Sequence, residues 1–226
     1  MASIKNQSIR GGLSLYFGQA FGLVNKIILF PIAFIGREEY WGFLALGISL
    51  SSILANLAQV GYAKSIQMYV PVNPQKRRAI VRYILTASTL FSTVAAVALY
   101  LLRHQVADLF GGSALFNENF YIIMFLFFSQ LFYEIGLGIF NSLLRSHVPL
   151  FFNNVSIRIF IFLVLISKFY FNFSIETFLA AVALGYLVNN SILLWLALRN
   201  NAISVVLPEE PLDAALKSDI NKYSIF

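Results

Sequence analysis

The chain of 226 residues is 59% hydrophobic and 16% aromatic, with 12% charged residues and a mean hydropathy of +0.76. Soluble domains are nearer half apolar and a quarter charged, so this composition excludes an ordinary soluble domain and predicts a bilayer protein. The absence of cysteine removes disulfides and thiolate chemistry, and the net charge of +6 does not indicate nucleic acid, because the basic residues sit in short loops between apolar runs.

Six apolar stretches, each near the roughly 20 residues that cross hydrocarbon, follow in order: 11–35, 41–70, 79–102, 119–144, 149–172 and 176–198. They predict an all-α integral membrane protein with six transmembrane helices in one lobe. The first stretch is too long for a signal-peptide core and has no small-x-small cleavage site, so it is expected to remain as a span. The second is long enough to tilt or to extend past the bilayer. Pro71, Pro74 and Pro149 punctuate span ends, where a missing N–H costs least. Residues 199–220 read as a cytoplasmic linker. Residues 221–226, ending in "YSIF", read as the truncated start of a seventh span.

Orientation follows from the positive-inside rule. With a cytoplasmic N-terminus, ten Lys and Arg face the cytoplasm: Lys5, Arg10, Lys76, Arg77, Arg78, Arg82, Arg145, Arg199, Lys217 and Lys222. Arg37, Arg103 and Lys168 face the other side, and Lys26, Lys64 and Arg158 lie inside spans. The bias places both ends in the cytoplasm, and a bacterial inner membrane is the expected location.

A helix advances about 100° per residue, so polar residues three or four apart share a face. The first span carries Ser14, Gly18, Gly22 and Asn25 on one stripe, with Gln19 and Lys26 at its edge. The second carries Ser49, Ser52, Asn56, Gln59 and Gln67, with Lys64 beside them. Gln130, Glu134, Gly138 and Asn141 mark the fourth, Asn154 and Arg158 the fifth, and Gly185, Tyr186, Asn189 and Asn190 the sixth. Small and amide residues of this kind also serve simply to pack membrane helices, at about 0.6 kcal/mol per hydrogen bond.

The charges are costlier, at about 2.5–3.5 kcal/mol for Lys, Arg or Asp near a helix centre. At ~1.5 Å per residue, Lys26 lies ~24 Å from the cytoplasmic end of its span, Arg158 ~13 Å, Glu134 ~16 Å and Lys64 ~10 Å. Lys64 is shallow enough to snorkel, and Arg158 with Glu134 is deep enough for a structural ion pair. If the groups converge instead, three cations against one carboxylate line a wet cavity suited to an anion such as phosphate or pyrophosphate. Lys26, Arg158 and Lys64 are then the candidate substrate-binding residues. Asn25, Asn56, Gln59, Gln130, Asn154 and Asn189 are the candidate polar lining, and Glu134 is the candidate ion-coupling group.

No catalytic constellation competes. His104 and His147 fall on opposite sides of the membrane, and no HExxH, Walker loop or nucleophile elbow is present. The chain is expected to be no enzyme and to need no metal or cofactor.

The segment from Phe30 to Pro71, "FPIAFIGREEYWGFLALGISLSSILANLAQVGYAKSIQMYVP", followed by basic "QKRR", resembles the N-terminal region of Wzx-like polysaccharide flippases. The outer loop has that family's Gly, acidic, aromatic, Gly pattern in Gly36, Glu38, Glu39, Tyr40 and Gly42. Gly61-Tyr62 leads into the basic cytoplasmic loop, and "INKYSIF" is similar to the start of the family's seventh span. The wider group includes MATE exporters and lipid II flippases. The resemblance implies one lobe of a two-lobe, alternating-access transporter for polyprenyl-pyrophosphate-linked oligosaccharide, used in O-antigen, capsule or exopolysaccharide biosynthesis. By depth and charge, Lys26, Lys64 and Arg158 take the family's pyrophosphate-engaging role. The implied partners are the bilayer, a second lobe missing from this chain, and a polysaccharide polymerase or glycosyltransferases. A MATE-like small-molecule exporter and a non-transporting membrane subunit of a polysaccharide synthesis complex are the alternatives.

Overall fold

In hydrocarbon the backbone has no water to bond, and a helix satisfies its N–H and C=O groups within one segment. The computed structural model describes residues 4–59, 61–109, 114–203 and 211–225, and every regular element among them is helical. Six helices are long and apolar enough to cross a membrane: Ser8–Ala33, Glu38–Gln59, Pro74–Leu101, Phe120–Ser142, His147–Phe171 and Ile175–Asn200, hereafter the first to sixth spans. The chain is an all-α, multi-pass membrane protein.

The fourth span is the hub. Its most apolar stretch is 61% buried, against 17% for the first span, which lies at the periphery. The fourth packs on the second and sixth spans, the fifth lies beside the sixth, and the first leans on the start of the fifth. One apolar cluster, including Phe34, Phe43, Phe116 and Phe178, fills the end near the loop at residues 34–37. A second, including Ile66, Ile80, Phe127, Phe140 and Leu193, fills the opposite end.

The apolar run at 41–70 is divided rather than continuous. Its first part ends at Gln59, Val60 lies outside the described residues, and a separate helix, Tyr62–Val72, follows Gly61. Gly61 is left-handed, with φ of 77°, and a Cβ there would lie 2.8 Å from the Ser224 carbonyl oxygen. Both its conformation and its neighbour require glycine.

The region read as a linker, 199–220, is also partly helical. The sixth span's helix continues to Ile203, and a further helix, Ala214–Ile225, begins well before residue 221. Residues 204–210 and Phe226 lie outside the described residues. The final helix is moored on the Tyr62–Val72 helix and the third span. The hydroxyls of Tyr62 and Tyr83 donate to Asn221 Oδ1 at 3.2 and 2.9 Å, the Ser65 and Ser224 hydroxyls are 2.7 Å apart, and Lys76 pairs with Asp213 at 2.9 Å.

Candidate functional site

Two spans contain a wide turn where the backbone bonds five residues back instead of four. In the first span it covers Val24–Leu29, with Phe30 N–H donating to Asn25 O, and in the fifth it covers Phe152–Ser156, with Ile157 N–H donating to Phe152 O. Pro31 explains the first: it lacks the N–H that would bond Ile27 O, so the turn before it relaxes. A wide turn narrows the angle between adjacent residues from about 100° to roughly 80–85°, so neighbours in sequence more readily border one space. Asn25 with Lys26, and Asn153 with Asn154, therefore all reach the space between the two spans.

That space is a cavity of about 500 Å³ bounded by the first, second, fifth and sixth spans. Lys26 and Arg158 both line it, joined by Gln19, Ser49 and Tyr186, and among the described residues no carboxylate does. Toward the 34–37 loop its wall is aromatic: the rings of Phe30 and Trp41, which line it, are 4.0 Å apart, and Phe34 lies 5.4 Å from Phe178 nearby.

Arg158 is seated on the first span. Its Nη1 donates to Gly18 O, and Asn25 Nδ2 donates to the Arg158 carbonyl at 3.0 Å. Close approach is possible only because the facing positions are glycines. A methyl at Gly22 would lie 2.7 Å from Arg158 Nη1, and one at Gly18 would overlap the Asn154 backbone carbonyl. Asn25 is only 3% exposed, and its Oδ1 has no hydrogen-bond partner among the described residues.

The remaining candidates lie elsewhere. Lys64 and Asn56 are exposed outside the cavity, and Asn56 Nδ2 bonds its own helix at Ser52 O, 2.9 Å away. Gln59 is buried and ties the second span to the fourth through Leu131 O at 3.1 Å. Gln130 donates to Glu134 Oε1 at 3.2 Å, within electrostatic range of Lys64, so Glu134 is not the ion partner of Arg158. Asn189 binds Phe152 O, at the fifth span's wide turn, and Asn190 Oδ1, and it accepts from Ser156 at 2.7 Å. Asn190 in turn donates to Ser129 O and Oγ at 3.1 and 2.9 Å. This chain of bonds fixes the fifth, sixth and fourth spans to one another. Amide side chains read as cavity lining thus serve helix packing at Gln59 and Asn189, because each faces a neighbouring backbone carbonyl.

Trp41, Phe30 and Asn153 line the cavity without having been singled out by periodicity. The signal for Asn153 was its adjacency to Asn154, and for Phe30 its proline neighbour. Among the described residues no three His, Asp or Glu side chains group as a metal site requires.

Chemically, the site offers an ammonium and a guanidinium on an amide-lined wall, with the aromatic rings of Phe30 and Trp41 beside them. Guanidinium binds phosphate oxygens in pairs, and ammonium acts as a point charge, so together they suit a phosphoanion. No family model, no characterised protein and no solved structure matches this chain.

Proposed function

We propose that this chain forms one lobe of a flippase that carries polyprenyl-pyrophosphate-linked oligosaccharide across a bacterial inner membrane, for O-antigen, capsule or exopolysaccharide biosynthesis. The observation that carries the reading is that Lys26 and Arg158 line one cavity, with no carboxylate among the described residues lining it, within a membrane-spanning bundle. Charged groups inside spans are costly and mark substrate pathways. In this reading the pyrophosphate binds Lys26 and Arg158, the first sugar packs against Trp41 and Tyr186, and the lipid tail stays in the bilayer. The N-terminus is cytoplasmic, a second lobe closes the cavity, and rocking of the lobes exposes it to each side in turn. The aromatic wall between the first, second and sixth spans is the closed outer gate of that cycle.

The test compares lipid-linked glycans in cells with the intact gene, without it, and with Lys26→Gln/Arg158→Gln. Loss of function should leave polyprenyl-pyrophosphate oligosaccharide on the inner leaflet and strip polysaccharide from the surface. Unchanged pools in the deletion strain sink the polysaccharide assignment. Normal flipping by a well-expressed double variant sinks the cationic cavity.

A further inference from the structure

A second collection of cations lies away from the cavity, at the end of the bundle remote from the 34–37 loop. Arg10 at the start of the first span and Arg145 after the fourth both come within electrostatic range of His147, at the start of the fifth. Arg77, in the first turn of the third span, is near Arg145. Elements far apart in sequence therefore deliver basic groups to one place.

The place is built rather than accidental. The first and fifth spans touch here, with a Cβ on Gly11 standing 3.5 Å from Leu150 Cδ1. The turn that presents Arg145 is fixed by a left-handed Leu144, with φ of 55°, and by Arg145 N–H donating to Phe140 O at 2.9 Å. Arg145 Nη1 donates to Asn200 Oδ1 at 2.8 Å, which orients the guanidinium without neutralising it. Among the described residues neither Arg10 nor Arg145 has a carboxylate at ion-pair distance, and His147 Nδ1 is buried without a hydrogen-bond partner. Clustered cations repel, so an anion among them is strongly favoured. The fifth span also begins there, and helix N-termini add to the attraction for anions.

The surroundings identify the source of that anion. Ile9, Leu13 and Leu144, beside Arg10 and Arg145, are exposed, so the cations sit on an apolar rim rather than in a polar pocket. At the same end of the sixth span, Trp195 is exposed with the Arg199 guanidinium 5.4 Å from its ring centre. Tryptophan in such company marks headgroup level. We infer that Arg145, with Arg10 and His147 beside it, binds the phosphate of an anionic phospholipid headgroup, whose acyl chains lie along Ile9 and Leu13. Basic clusters between membrane helices recognise lipid phosphates in this way. The bound lipid would tie the peripheral first span to the fifth, whatever the cavity transports.

The experiment uses the full chain purified in mild detergent, with phosphatidylglycerol and phosphatidylcholine supplied in equal amounts and retained lipid counted by native mass spectrometry. The wild type should retain phosphatidylglycerol preferentially. At about fivefold per basic group, Arg145→Gln should weaken retention about fivefold, and with Arg10→Gln about 25-fold. Lys217→Gln, on the final helix, should change nothing. Arg10 is exposed on a peripheral helix, so Arg10→Gln alone keeps the test open should Arg145 variants fold poorly. Equal retention of both lipids, or retention indifferent to Arg10 and Arg145, overturns the inference. Displacement of the lipid by millimolar inorganic phosphate also overturns it, because the site would then be one for free phosphate.

Discussion

Replacing Arg158 by methionine separates a functional charge from a structural one. Methionine keeps much of the stem's bulk and its flexibility, so packing on Gly18 and Gly22 is largely preserved. The bond from Asn25 goes to the backbone carbonyl of residue 158 and survives the change. What disappears is the bond from Nη1 to Gly18 O, worth about 0.6 kcal/mol on the average for membrane helices. Against that stands relief from holding an arginine inside a span, about 2.5–3.5 kcal/mol on insertion scales and less in a wet cavity. The balance predicts a variant as stable as the wild type or up to ~2 kcal/mol more so. Anion binding moves the other way, since losing a charged hydrogen-bond partner costs about 1.5–3 kcal/mol, or roughly 10- to 150-fold in affinity. Thermal unfolding with and without inorganic pyrophosphate reads both effects. At a concentration 100 times the wild-type Kd, the ligand stabilises wild type by about 2.7 kcal/mol, and the variant by only about 0.3–1.4 kcal/mol. A variant that loses ~3 kcal/mol without ligand and keeps the full pyrophosphate shift would refute the reasoning, because Arg158 would then be a strut.

The two lysines should behave differently in the same assay: Lys26→Gln weakens pyrophosphate binding about tenfold, whereas Lys64→Gln, outside the cavity, leaves it within about twofold. An equal effect of both would show that the site extends to the Tyr62–Val72 helix. Gly138→Ala drives a methyl to 2.6 Å from Ala63 O and should cost about 1–3 kcal/mol in thermal unfolding, while Gly12→Ala, with nothing within 4 Å, should cost nothing. The mooring of the final helix should be acid-sensitive. Hydrogen bonds from Lys76 and from Leu216 N–H hold the Asp213 carboxyl below its ordinary range. Its stabilising contribution is therefore complete above an ordinary aspartate pKa, near pH 4, and is lost as pH falls through the depressed folded value. Hydrogen exchange across residues 214–225 should rise on acidification in the wild type, and the Asp213→Asn protein should already exchange faster at neutral pH.

Six spans were legible because length and hydropathy are all that a bilayer asks of a helix. The division of the second run at Gly61 was not, since Tyr62, Ala63, Ile66 and Val70 continue the apolar run and a single glycine does not reveal its φ. Periodicity identified polar faces but not what each face meets. Asn25 and Gln59 occupy equivalent stripes on neighbouring spans, yet one lines a cavity and the other binds Leu131 O. Only the packing of a third helix decides between them. The 100° rule also fails locally where the helix widens, so Asn153 was overlooked beside Asn154. The wide turns themselves leave no periodic trace, although Pro31 pointed to one of them.

The energetics of the cavity bear on its role more directly than any one residue. Two like charges lining one cavity repel, and more strongly the less water the space holds. The fold adds further costs around them: Gly18 and Gly22 forgo side-chain packing to seat the guanidinium, and Asn25 Oδ1 is buried without a partner among the described residues. Apolar residues at positions 26 and 158 would remove the repulsion and let the spans close. A doubly charged anion converts that repulsion into attraction to both cations at once, so the same feature that weakens the empty bundle strengthens the occupied one. Carrying the two charges on the first and fifth spans gives the anion leverage, because the peripheral first span is held chiefly by its contact with the fifth. Binding then changes how firmly that contact is made, which is how occupancy of a small polar site would be passed to the movement of whole helices.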